Sequence, residues 1–119
     1  MHRILIAEDE PRITAFIEKG LRKQGFTTAI SNDGETALQM ALTGNFDLML
    51  LDLGLPGMDG SVVLEEIRRQ GNQLLIIIVT ARDGVNDRVE SLSHGANDYI
   101  TKPFKFKDLL KSIQAHLDE

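Results

Sequence analysis

Apolar residues along the chain gather into five short runs: RILIA at 3–7, FTTAIS at 26–31, FDLMLLD at 46–52, LLIIIVT at 74–80 and DYIT at 98–101. Three of these, at 4–7, 48–51 and 74–79, are nearly continuous in Ile, Leu, Val and Met, the pattern of parallel strands buried on both faces. They are the expected centre of a sheet. The second run alternates more and the fifth is short, which predicts positions nearer the sheet edges.

Between the runs the spacing turns helical. Ile13, Phe16, Ile17 and Leu21 recur along one predicted helix, and Phe106, Leu109, Leu110, Ile113 and Leu117 along another near the end of the chain. A further helix is expected over 83–94. Gly25, Gly44, Gly71 and Gly95 each fall just past a helical stretch, where a residue of positive φ commonly closes a helix. Strand and helix alternating with short connections predict an α/β fold, a doubly wound parallel sheet with helices on both faces and right-handed crossovers.

Composition narrows the setting. At 119 residues the chain is expected to form one domain, 1–119, around a single core. With 42% hydrophobic and 26% charged residues, no apolar run long enough to span a membrane and no apolar signal segment after Met1, a soluble, cytoplasmic protein is expected. The absence of cysteine removes disulfides, thiolate metal sites and thiol nucleophiles together. A net charge of −5 argues against a nucleic-acid surface, since phosphate backbones are held by clustered Lys and Arg.

In doubly wound sheets the ligand crevice lies outside the carboxyl ends of the strands. There the first strand leaves Glu8 and Asp9, the third Asp52, the fourth Thr80, and the fifth Lys102 followed by Pro103. Singly, each has a bland reading. Asp9, Glu10 and Pro11 could simply open a helix, Thr80 could be a satisfied strand end, and Lys102 a solvated charge. Together they point to chemistry. Three clustered carboxylates repel unless a cation neutralises them, and a hard oxygen set suggests Mg²⁺. A lysine and a hydroxyl beside a metal-bound carboxylate form a cavity suited to a phosphoryl group. A carboxylate can itself be the nucleophile, which makes Asp52 the candidate acceptor.

The stretch GLPGMDG at 54–60 could suggest nucleotide binding, but its G-x-x-G-x-x-G spacing is neither the dinucleotide fingerprint nor a P-loop. It reads better as a tight turn at Pro56 and Gly57 beside Asp52, with Asp59 or Gly60 beginning the next helix.

The segments EDE after the first strand, LLDLGLPGMDG around the third, VTAR ending the fourth and GANDYITKPF around the fifth together resemble the receiver domain of two-component response regulators over the whole chain. The resemblance implies a flavodoxin-like sheet of five parallel strands in the order 2-1-3-4-5. It makes Asp52 the phosphoacceptor, with Mg²⁺ held by Asp9, Asp52 and the backbone carbonyl of Gly54 while Glu8 acts through water. Thr80 and Lys102 match the pair that contacts the phosphoryl oxygens, and Tyr99 matches an aromatic position that turns inward when the threonine hydroxyl is drawn to the phosphate. The implied partner is a histidine kinase or a phosphotransfer protein, and the domain would catalyse its own phosphotransfer and dephosphorylation without being a turnover enzyme.

Two readings of other classes compete. A Mg²⁺-dependent phosphohydrolase with an aspartyl nucleophile would share the acids and the lysine, but its pattern carries a second Asp where this chain has Gly54. A flavin module on the same fold would lack aromatic rings to stack on, with no Trp and one Tyr. The wording of the loops resembles most the winged-helix transcription-factor subfamily, which favours a fragment of a longer regulator over a stand-alone receiver acting by protein contact. In that subfamily the fourth helix, fifth strand and fifth helix pair two receivers through salt bridges. Arg88, Asp98 and Asp108 match that face, whereas Ser112 stands where an arginine is expected. The expectation is a weak homodimer when phosphorylated and no direct binding of nucleic acid by this domain.

Overall fold

The computed structural model describes residues 1–117, so the last two residues of the predicted domain lie outside the described residues. The elements alternate as β1 (Arg3–Ala7), α1 (Pro11–Lys23), β2 (Thr27–Ser31), α2 (Gly34–Ala41), β3 (Leu48–Leu51), α3 (Gly60–Arg69), β4 (Leu75–Thr80), α4 (Val85–Ser93), β5 (Asp98–Thr101) and α5 (Phe106–Leu117). The five strands form one parallel sheet in the order β2-β1-β3-β4-β5. The runs predicted at 3–7 and 98–101 coincide with β1 and β5. The third is shorter than its apolar run because Phe46, Asp47 and Asp52 flank the ladder rather than join it.

Side chains alternate across each strand, so the sheet carries a core on each face. Leu5, Ala7, Met49, Leu51, Ile76 and Ile78 meet α2 and α3 through Ala37, Val63, Leu64 and Ile67. On the opposite face Ile4, Ile6, Leu48, Leu50, Ile77 and Val79 meet α1 and α5 through Ile17, Leu21, Leu109 and Ile113. Each fully buried aliphatic side chain contributes about 1.5–3 kcal/mol, which is why the three central strands carry no polar residue along their buried stretches, 4–7, 48–51 and 76–79. The helix α4 is the outlier, burying only Ser91 and leaving Val85 and Val89 exposed.

One expectation about packing is corrected. Phe16 shares the apolar spacing of α1, yet it is 51% exposed. It lies one residue, about 100° of helix rotation, from Ile17, which points into the core. Its ring instead meets Phe104 and Phe106 at the flank where α1 adjoins α5. Gly20 makes that approach possible, because a Cβ there would fall 2.4 Å from the Phe106 ring. Among the described residues no helix is long and apolar enough to cross a membrane.

Candidate functional site

The register of the sheet brings the acids together. Ala7 of β1 lies beside Leu51 of β3, and the next residue, Asp52, donates its backbone N–H to the Ala7 carbonyl at 3.0 Å. Glu8, Asp9 and Asp52 therefore emerge side by side, with one oxygen of each within 4.8 Å of the others. Glu8 and Asp52 are buried, at 3% and 7% exposure, while Asp9 is exposed.

Lys102 reaches into this cluster from the end of β5. Its Nζ is 2.7 Å from Glu8 Oε1, 3.2 Å from Asp52 Oδ2 and 3.9 Å from Glu10. Burial by itself would push the ammonium down, but the bond it donates to Glu8 and the charge of Asp52 carry it above its usual range. Burial dominates at Glu8 and, aided by the charge on Asp52, raises its carboxyl despite bonds from Lys102 and the Glu10 amide. One ammonium thus serves several carboxylates. That residual negative charge, on hard oxygen donors, fits a small divalent cation such as Mg²⁺.

The loop after β3 folds back beside Asp52. Gly54 donates its amide to Asp52 Oδ1 at 3.1 Å, and a side chain there would begin within 3.9 Å of both carboxylate oxygens. Gly57, at φ 79°, completes the turn expected at Pro56 and Gly57, whose Pro56 carbonyl accepts from Met58 and Gly34. Asp59 then caps α3 by accepting from the Ser61 amide, as its position before Gly60 predicts. Gly60 sits so close beneath Asp52 that a Cβ would fall 2.2 Å from the Asp52 carbonyl oxygen.

Thr80 is buried at the end of β4, beside Thr101 of β5. Its hydroxyl oxygen accepts from the Arg82 amide at 3.4 Å and, among the described residues, makes no hydrogen bond to Asp52. Tyr99 lies inward, its ring buried and its hydroxyl donating to the Arg82 carbonyl at 2.7 Å. Arg82 is the residue that sequence reasoning passed over. It stands in VTAR, but nothing in that stretch reveals that its guanidinium would pair with Asp59. Burial tends to raise the Asp59 carboxyl, and hydrogen bonds from Arg82 and Ser61 more than offset it, leaving it below the usual range.

The residues assigned to a pairing face are mostly engaged within the chain. Arg88 donates to the Tyr99 carbonyl at 3.0 Å and stacks over the Tyr99 ring. Asp98 accepts from the Tyr99 amide and from the Ser112 hydroxyl, while Asp108 is exposed. Near Lys102 an open groove of about 520 Å³ is lined by Ile13, Phe16, Ala81, Pro103 and Phe104.

Comparison with known proteins agrees with this geometry. The family model of the response regulator receiver domain matches residues 4–114. The chain is 45% identical over 115 residues to the transcriptional activator protein IrlR of Burkholderia pseudomallei, covering 97% of this chain and 50% of that protein. It therefore spans about half the length of the curated relatives it matches. Among solved structures, the receiver domain of the sensor histidine kinase PA1611 from Pseudomonas aeruginosa, with a magnesium ion coordinated in its active-site cleft, is 36% identical at a TM-score of 0.89, covering 99% of this chain and 98% of that one. The Thermotoga maritima response regulator TrrA in complex with Mg²⁺ and BeF is 33% identical at a TM-score of 0.88, covering 98% of this chain and all of that one.

Proposed function

The chain belongs to the response regulator receiver domain family, and on that premise we propose that Asp52 accepts a phosphoryl group from a histidine kinase or a phosphotransfer protein in a Mg²⁺-dependent reaction. The observation that carries the assignment is a buried carboxylate ending the central strand β3, 3.2 Å from Lys102 and flanked by two further acids. A group that costs so much to bury is retained because it is used. Domain and function coincide over 1–119 in this reading.

An Asp52 oxygen forms the new bond to phosphorus. The bond from phosphorus to the donor breaks, and its electron pair leaves with the donor, a histidine imidazole nitrogen for a kinase. Lys102, already 3.2 Å from Asp52, moves onto a phosphoryl oxygen, and Thr80 turns its hydroxyl from the Arg82 amide to another. Asp9, Asp52 and the Gly54 carbonyl would hold Mg²⁺, with Glu8 acting through water. The cation supplies charge neutralisation among acids and phosphoryl oxygens that repel one another.

Tyr99 is the proposed partner of Thr80 in the switch. The apolar groove beside Lys102 supports a protein as donor, since exposed Phe16 and half-buried Phe104 border the entrance to the acceptor. The names of the relatives support an output through transcription, exerted by an effector domain of the winged-helix kind in a cytoplasmic regulator. Arg88, Asp98 and Asp108 are proposed to face a second copy when the domain is phosphorylated. The domain turns over only its own phosphoryl group.

Incubation with acetyl phosphate, with and without Mg²⁺, followed by intact-mass measurement tests the acceptor. An adduct that needs Mg²⁺ and is lost in Asp52→Asn is expected. An adduct that persists in Asp52→Asn overturns the assignment.

A further inference from the structure

The segment between β4 and α4, residues 81–84, is exposed throughout, and a loop that buries so little has few contacts of its own to fix its shape. It is nevertheless tied down on two sides, and both ties run through Arg82. The guanidinium reaches the start of α3, where it donates to the two Asp59 oxygens at 2.5 and 3.3 Å and to the Leu53 carbonyl at 3.3 Å. The Arg82 backbone faces the other way. Its carbonyl accepts from the Tyr99 hydroxyl at 2.7 Å, and its amide lies 3.4 Å from the Thr80 hydroxyl oxygen.

We propose that Arg82 is a positioning residue: clamped to Asp59, it fixes the loop so that its carbonyl holds Tyr99 inward, and it thereby couples the inward tyrosine to the start of α3. Asp59 is prepared for the task. Its Oδ2 accepts from the Ser61 amide and hydroxyl, which orients the carboxylate towards the planar fork of an arginine; a lysine would offer no such match. Arg88 adds a hold from the other side of Tyr99, through that residue's carbonyl and ring. Without the clamp, Tyr99 would hydrogen-bond to a loop that is itself free to move.

The ordinary view of such a pair is that exposed ion pairs contribute little to stability. The clamp differs from an ordinary pair in what it moves. Its loss changes where Tyr99 sits more than it changes how firmly the fold holds together. The proposal rests on the receiver reading for its consequence, that the clamp sets how readily the switch turns, but the position of Tyr99 can be measured without phosphorylation.

Tyr99 is the only tyrosine of the chain, so fluorotyrosine incorporation gives fluorine NMR signals from that site alone. Asp59→Asn removes the charge while keeping a side chain that caps helices as well as aspartate does, so the fold is retained. In Asp59→Asn and Arg82→Ala the weight of the outward, solvent-exposed tyrosine signal should rise about two- to five-fold, the range an exposed ion pair can command. The double variant should go no further than either single one, because both remove the same contact. Glu66→Gln, which breaks the exposed Arg69 pair on α3, should leave the signal as in the wild type. Tyrosine signals in Asp59→Asn that superimpose on the wild type overturn the clamp, as does an equal change in Glu66→Gln. Intact mass after acetyl phosphate and Mg²⁺ treatment of the same samples separates the two readings. A wild type that takes up no phosphate sinks the acceptor assignment, while the tyrosine populations decide the clamp by themselves.

Discussion

The Ser112 hydroxyl donates to Asp98 Oδ2 at 2.5 Å, so the acid that opens β5 is satisfied inside its own chain by a residue midway along α5. A salt bridge from a second copy would have to compete with that bond. Exposed pairs contribute roughly 0–1 kcal/mol each, and one fewer is enough to tip a marginal dimer. The beryllofluoride-treated domain is expected to be monomeric at low micromolar concentration and to dimerise weakly at high concentration and low salt. Ser112→Arg should tighten the dimer up to about fivefold, a gain of about 1 kcal/mol at most. Sedimentation measures both, and a strict monomer in the two proteins at low salt removes the pairing face.

Removing one acid from the cluster should stabilise the protein when no divalent cation is present. The Asp52 charge helps to raise the Glu8 carboxyl, and Asp52→Asn relieves that repulsion while keeping an acceptor for Lys102. A gain of ~1 kcal/mol, the scale of one pKa unit, is expected in chelator, shrinking as Mg²⁺ is added and stabilises the wild type. Thermal melts across a Mg²⁺ titration decide it. A variant that melts below the wild type in chelator would mean that the Lys102 contact outweighs the repulsion.

Thr80→Ala should still be phosphorylated, because acceptance rests on Asp52 and Lys102. What it loses is the hydroxyl that the phosphoryl group would draw from the Arg82 amide. A bound group shifts a conformational equilibrium only by its difference in affinity for the two states. Amide chemical-shift changes over 81–99 on beryllofluoride addition should therefore shrink to a minor fraction of the wild-type response. Equal changes would route the coupling elsewhere.

Asp59 gives a pH dependence of known sign. Its carboxyl is held below the usual aspartate range in the folded state by the bonds from Arg82 and Ser61, so its contribution is present above that range and is lost as pH falls through the folded value. The stability difference between wild type and Asp59→Asn should be constant near neutrality and close as pH drops below about 4. Urea unfolding between pH 3 and 7, about the range of the carboxylate titration, checks it. A gap that widens on acidification contradicts the assignment of the Arg82 and Ser61 bonds.

The fold was legible because its strands announce themselves. Ile4 to Ala7, Leu48 to Leu51 and Leu75 to Val79 are apolar without interruption because both faces of the sheet are covered, and each stops where the sheet edge meets solvent. The strand ends therefore revealed Glu8, Asp9, Asp52, Thr80 and Lys102 as well. Contacts between loops were not legible. The pairing of Arg82 with Asp59 spans 23 residues and depends on how two turns lie against each other, which no local spacing encodes. Phe16 was misplaced for a related reason: helical periodicity gives a stripe, and the residue at the stripe's margin belongs to whichever neighbour stands there. That neighbour was α5, whose Phe106 fits only because residue 20 is glycine.

Gly60 carries a lesson of a genetic kind. A single methyl there would collide with the backbone of Asp52 and Leu53, and neither can yield without moving the acceptor. In a library of all single substitutions Gly60 would be as intolerant as Asp52, yet the two would be distinguishable by protein abundance. Loss of Asp52 leaves a full complement of silent protein, whereas loss of Gly60 depletes the protein itself. Of two positions eight residues apart, then, one would be constrained by the role proposed for it and the other by the room it leaves.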